Sequence, residues 1–369
     1  MAHSAPKPFF STLAMSLLCI AASIPAPAKA VDSAVRIGVF GLFRSTELIL
    51  SPPAHEALVV NGAGQTIILE NTQFARLRLA EHAVRCVTPT ETLVASSIQA
   101  FNRGGADLIL AVPGRIERRF RGKLDVSVEA DHLAAIVTMG LEVAVASVVA
   151  AESHSGVSLE ALKAQAVVAR SFYVAARGRH SSSGFDFCDT THCQFVREAH
   201  GVGSSPKKGP VDMAALAAAE TRGLVLAFRG RKLAALYSAS CGGRTRSLAD
   251  AGMSSEAYPY FSVECAYCRS HAPDWQTHLD RNEASLLLEK CTEGARLLTA
   301  RKTGWSSVPG NNYDGILEGN VVVLRGRGAG HGVGLCQAGA AAMASAGSDF
   351  RTILAYYYPN TTLIFAQAD

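Results

Sequence analysis

One histidine, one thiol and one amide stand among four glycines in the run Gly330-His331-Gly332-Val333-Gly334-Leu335-Cys336-Gln337-Ala338-Gly339-Ala340. Closely spaced glycines allow positive φ and let the backbone approach a ligand. The run follows the β-prone Val321-Val322-Val323-Leu324 and precedes the helix-prone segment Ala340 to Ala346, so it reads as a backbone-lined pocket wall. It is not a nucleotide loop, which would need Gly-x-Gly-x-x-Gly opening a βαβ unit or Gly-x4-Gly-Lys-Ser/Thr. Farther up the chain, Cys188-x4-Cys193 brackets His192, and Cys265-x2-Cys268 is spaced like a knuckle. Thiolates and imidazole at such short separations suit zinc. Leaving out Cys19, eight cysteines remain: Cys86, Cys188, Cys193, Cys241, Cys265, Cys268, Cys291 and Cys336. An even number in an exported chain equally suits disulfides. Cys336 reads as structural, because His331 in the same loop is a weak partner for a thiol nucleophile.

The elements that must carry these groups fall into two regions. Residues 31 to about 130 are strand-rich: Val35 to Phe40, Ala57 to Val60, Thr66 to Leu69 and Leu108 to Val112 are β-prone runs separated by Pro52-Pro53, Asn61-Gly62 and Gly104-Gly105. No charged or metal constellation is evident there. From about residue 140 the pattern becomes helical. Leu141 to Ala151 is apolar nearly all round, as a buried helix would be, and ends at Glu152. A second helix follows, with Ser158 as N-cap, Glu160 in its first turn and Gly178 as a stop. Leu162, Ala166, Ala169, Phe172 and Tyr173 form its apolar face, while Lys163 and Arg170, two turns apart, share another side. A short helix over about Val211 to Thr221, a hairpin from Gly223 to Tyr237, and a last helix stopped by Pro359 complete the reading. The expected fold class is α+β: a β-rich N-terminal part, then a mixed domain whose two early helices and hairpins frame an open groove.

Composition and charge narrow the setting. The formal charge is +4 and the pI about 8.6. That balance suits an anionic polymer but not nucleic acid, since no basic helix or lysine stripe is present. Arg115, Arg118, Arg119, Arg121 and Lys123 make the one dense basic patch, read as a solvated loop. Residues 1–30 read as a signal peptide: Lys7, an apolar stretch from Phe9 to Ile24, and Ala28-Lys29-Ala30 as an A-x-A cleavage site. Export to the periplasm or the cell exterior is therefore expected, with no transmembrane span in the mature chain.

Several stretches, taken together and in order, resemble the SpoIID/LytB family, whose founding member is the stage II sporulation protein D. They are Val148-Val149-Ala150-Ala151-Glu152, Leu159 to Ser171, Cys188-Asp189-Thr190-Thr191-His192-Cys193-Gln194, Tyr237 to Thr245, and Gly330 to Ala340. The similarity covers roughly residues 115 to 365, which divides the chain into 1–30, a β-rich region 31–114 and a SpoIID/LytB-like domain 115–369.

The resemblance implies a peptidoglycan-acting protein associated with the cell wall. Family members include lytic transglycosylases that cut glycan strands stripped of stem peptides, and proteins described as enhancers of a cell-wall amidase. On that basis Glu152 is the expected single acid/base, and a carboxyl ending an apolar helix is open to desolvation that raises its pKa. Lytic transglycosylation needs no second carboxylate, unlike the two-carboxylate hydrolases. One departure is Ser153-His154, where relatives often carry Met-Pro. Lys163, Arg170, Gln194, His331 and Gln337 are the expected glycan contacts. The chemistry requires no cofactor. Some relatives bind zinc after the second helix, so Cys188 and Cys193 with His192 or His180 are the expected ligands of a structural zinc, a Cys188–Cys193 disulfide being the alternative. The alternative function is a non-catalytic module that binds peptidoglycan and stimulates an amidase.

Overall fold

Period-two alternation builds most of the first half of the chain. In the strand Lys123–Glu129, for example, Leu124 and Val126 are buried while Lys123, Asp125 and Ser127 face outward. The structure, a computed structural model, describes Met1 and residues 34–105, 107–154, 156–197, 210–253, 258–289, 292–304 and 306–366. The expected signal peptide, Cys19 and Cys291 lie outside the described residues. A seven-stranded sheet runs in the order Phe187–Cys188, Ala34–Val39, His132–Gly140, Lys123–Glu129, Ser97–Asn102, Leu58–Gly62, Gln65–Leu69. A six-stranded sheet has the order Ile116–Arg121, Asp107–Val112, Glu47–Ser51, Ala75–Ala80, Ala83–Val87, Thr92–Ala95. Leu50, Leu77 and Leu108 of the second meet Ile37, Val60 and Val126 of the first in one apolar core.

The strands continue to Gly140, where the helical part begins, because His132–Gly140 pairs along its whole length with Lys123–Glu129 and Ala34–Val39. One expectation is corrected here. Beyond Arg115, which stands in an exposed turn, the basic patch is not a solvated loop. It lies on the strands Ile116–Arg121 and Lys123–Glu129, where alternation turns Arg118 inward onto Asp189 at 2.9 Å and Arg121 pairs with Asp107 at 3.0 Å.

The helices, numbered along the chain, are α1 (Leu141–Glu152), α2 (Leu159–Ala175), α3 (Pro210–Glu220), α4 (Ala266–His271), α5 (Arg281–Ala284), α6 (Leu286–Glu289), α7 (Glu293–Thr303), α8 (Gln337–Ser345) and α9 (Phe350–Tyr357). Helix α1 is apolar on every side because α2, α3 and the last long strand of the β-rich region all pack on it. Ser158 occupies the cap position of α2, but its hydroxyl is buried and makes no cap bond. The expected hairpin forms as Leu224–Phe228 with Arg231–Lys232, and α9 is followed by a strand, Thr362–Phe365, that pairs with its first arm. A short parallel pairing of Tyr237–Ser238 with Leu335–Cys336 brings the glycine run beside the segment before Cys241. The β-rich first part and mixed second part are the α+β arrangement expected.

Candidate active site around Glu152

Glu152 is the last residue of α1, and the chain leaves the helix at Ser153 in extended conformation. The residue lines three cavities, of about 360, 130 and 420 Å³. Burial pushes its pKa up to about 7, against the backbone N–H of Phe195, which hydrogen-bonds it, and the charge of Arg197. The carboxyl is therefore poised between donor and acceptor near neutrality. Two other carboxylates, Asp189 and Glu293, line the same cavities. Both are committed to arginines, Asp189 to Arg118 at 2.9 Å and Glu293 to Arg296 at 2.5 Å. A wider concavity of about 650 Å³ lies on the sheet Asp274–Asp280, Val321–Arg327, Tyr313–Glu318 and shares no lining residue with these three.

One wall comes from the glycine run. Gly334 has φ of +74°, and a Cβ there would lie 2.0 Å from the Leu236 carbonyl oxygen, so this close parallel pairing requires glycine. Gln337 opens α8, and its Nε2 donates to the Glu152 carbonyl at 3.1 Å, which ties the wall to the end of α1. His331 lines the 420 Å³ cavity, with its Nδ1 accepting from the Val333 N–H at 3.0 Å and a further bond to the Tyr237 backbone. Burial lowers its pKa, so the ring is neutral and its nitrogens are engaged by backbone.

The opposite wall is the loop after α2. Asp189, almost fully buried, accepts from the Phe40 N–H at 3.1 Å and from Arg118. The Arg118 guanidinium lies 4.8 Å from the Phe195 ring centroid and 5.5 Å from that of Phe40. Gln194 donates to the Ala169 carbonyl at 3.1 Å, while its Oε1 has no protein partner. Gln165 lines the 130 Å³ cavity with neither amide atom bonded.

Two expected glycan contacts stand elsewhere. The spacing of Lys163 and Arg170 does put them on one side of α2, but that side faces α3. Lys163 pairs with Glu160 at 2.7 Å and Glu220 at 2.5 Å. Arg170 is completely buried, fork-bonded to Glu142 at 2.9 and 2.5 Å, and its remaining donors reach Thr221, Leu224 and Ala218. A buried guanidinium needs every donor filled, and here the core fills them. Neither residue borders the cavities at Glu152.

The same loop gathers the expected metal ligands, with His180 and His192 both included. Cys188 Sγ and Cys193 Sγ each lie 3.7 Å from His192 Nδ1, and Cys193 Sγ lies 3.4 Å from His180 Nε2. All four ligand atoms are within 4.8 Å of one another. A tetrahedral zinc with bonds of about 2.0–2.3 Å would separate such atoms by roughly 3.5–3.8 Å, so the set fits. The hydrogen bond between the two cysteines lowers the Cys188 thiol and raises that of Cys193, so the pair shares one proton that a bound zinc would displace.

Residues 129–228, which span α1, the loop, α3 and the first hairpin arm, match the SpoIID family, described as Stage II sporulation protein. The match to SpoIID is confined to this stretch. The chain is also similar to a protein of Brachyspira hyodysenteriae (strain ATCC 49526 / WA1) described as uncharacterized, at 27% identity over 266 residues, covering 63% of this chain and 69% of that protein. The SpoIID match makes the protein cell-wall related. Among the described residues no helix is long and apolar enough to cross a membrane.

Sequence reasoning missed the contribution of the β-rich region to this site. Phe40, Leu42, Phe43 and Arg118 all line the 360 Å³ cavity. The one available signal was Arg118 within the basic patch. Nothing local marks Phe43, whose side of the chain is decided by a short 3-10 turn, Gly41–Phe43.

Proposed function

We propose that this exported protein cleaves the glycan strands of peptidoglycan by lytic transglycosylation, with Glu152 as its single acid/base. The supporting observation is Glu152, half-buried and lining three cavities, its carboxyl held near pKa 7 by desolvation. Protonated Glu152 gives its proton to the glycosidic oxygen, and the bond from the anomeric carbon to that oxygen breaks. The muramoyl 6-hydroxyl then closes on the anomeric carbon and returns its proton to Glu152. The product carries a 1,6-anhydro ring, no water is consumed, and the acid is regenerated. The commitment of Asp189 and Glu293 to arginines favours this one-carboxyl route over a two-carboxylate hydrolysis.

Gln165 and Gln194 back the cavities with buried, unbonded amide atoms, and Gln337 positions the end of α1. His331 stiffens the glycine wall through its backbone bonds. Phe43, still 41% exposed, offers a flat apolar surface to a sugar ring. A zinc ion held by His180, Cys188, His192 and Cys193 would supply structural cross-linking only. It would hold the loop whose Phe195 N–H meets Glu152. The alternative, a non-catalytic peptidoglycan module that stimulates an amidase, would leave Glu152 without such a setting.

The deciding experiment incubates the mature protein with denuded glycan strands and looks for 1,6-anhydro ends by mass spectrometry. Such ends should form and should disappear with Glu152→Gln. Strand binding without anhydro ends, together with faster turnover by an added amidase, would replace this reading with the alternative.

A further inference from the structure

A second set of thiols lies beneath the glycine wall. Cys241, Cys265, Cys268 and Cys336 are each at most 2% exposed, and their four sulfurs fall within 4.8 Å of one another. They come from three separate segments: the end of the Tyr237–Ser238 arm, the start of α4, and the residue before α8. We propose that these four cysteines bind one structural zinc ion.

The geometry and its surroundings carry the proposal. Cys268 Sγ and Cys336 Sγ are 3.4 Å apart, well beyond a disulfide bond of about 2.05 Å. A zinc tetrahedron with Zn–S bonds of about 2.3 Å has edges of roughly 3.8 Å. The span fits one ion rather than a larger cluster. The sulfurs also have the donors that thiolates require. The N–H groups of Cys241 and Gly339 both donate to Cys336 Sγ at 3.4 Å, Ser240 Oγ stands 3.4 Å from Cys268 Sγ, and Tyr357 OH stands 3.5 Å from Cys265 Sγ. Gly339 has no side chain where one would fall 2.6 Å from Cys265 Sγ and 2.0 Å from Tyr357 OH. Helix α8 thereby approaches the sulfurs as closely as a ligand shell demands. Cys265-x2-Cys268 supplies the local pair, as in zinc knuckles.

The ion would act on the site through the chain. Cys336 precedes Gln337, which holds the Glu152 carbonyl, and Cys241 ends the arm carrying Ser238 and Ala239, which line the cavities. One zinc would thus clamp both strands of the wall facing Glu152. The metal assignment does not depend on glycan cleavage, and the two readings fail separately.

Elemental analysis of the full chain tests it. Cys268→Ser should lower zinc by one equivalent per chain, and Cys268→His should restore it, since imidazole can replace a thiolate but cannot form a disulfide. An unchanged zinc content in Cys268→Ser, or the four thiols joined as disulfides in the untreated chain, overturns the proposal. Should Cys268→Ser not fold, zinc-edge X-ray absorption of the wild-type chain decides. The loop site offers two sulfurs and two nitrogens, so an average above two sulfurs per zinc supports the four-cysteine site and two or fewer refutes it.

Discussion

Glu152→Gln should stabilise the protein at neutral pH while sharply lowering its activity. The carboxyl ionises near 4.5 when exposed and near 7 in the fold, with desolvation the leading cause. A raised folded-state pKa means that the native state holds the proton longer than the unfolded chain does. Stability is then fully retained below pH 4.5 and is lost as pH rises toward 7. One pH unit of difference is worth about 1.4 kcal/mol, so the wild type forfeits about 3 kcal/mol across this window. Glutamine keeps the shape and carries no charge, so the variant lacks that slope. Denaturant unfolding of both proteins at pH 4.5 and pH 8 should show the variant gaining about 3 kcal/mol on the wild type between the two. On denuded glycan, wild-type kcat/KM should fall about tenfold per pH unit above 7 as the donor ionises, and the variant should lose roughly 10²–10⁴-fold at pH 6. A stability difference independent of pH would refute the desolvated carboxyl, and unchanged turnover would refute its role.

Arg170→Ala should cost about 3–5 kcal/mol by leaving Glu142 buried and unpaired, measured by denaturant unfolding; a loss below about 1 kcal/mol would contradict the structural assignment. Mild acid or a chelator should release zinc from the His180, Cys188, His192 and Cys193 set and loosen the loop together, because zinc requires thiolates. Cys188→Ser should lower zinc content by one equivalent and reduce activity, whereas destabilisation without metal loss would favour the disulfide. Phe43→Ala should raise KM about fivefold with kcat unchanged, the worth of covering about 40 Å² of apolar ring at about 25 cal/mol per Å². Unfolding stability should fall by about 1–2 kcal/mol, since more than half of the ring is covered and its edge packs on Phe40.

Residue order alone makes legible what short-range physics controls. Apolar all-round patterning marked α1 and its polar end at Glu152, periodicity marked α2, and the glycine spacing marked a wall that close backbone approach makes necessary. Close Cys/His spacing likewise announced the loop cluster, because those ligands lie within fourteen residues of chain from His180 to Cys193. Tertiary structure decided the rest. The seven-residue spacing of Lys163 and Arg170 fixes that they share a side of α2, but not that α3, with Glu220 and the carbonyl of Ala218, covers that side. Phe43 and Arg118 share a cavity with Glu152 because the strand Phe187–Cys188 joins the N-terminal sheet and carries Asp189 to the Phe40 N–H. The four buried cysteines meet through a parallel pairing nearly a hundred residues apart in sequence, from Tyr237–Ser238 to Leu335–Cys336. Such long-range closures depend on the packing of whole elements, and no local periodicity encodes them.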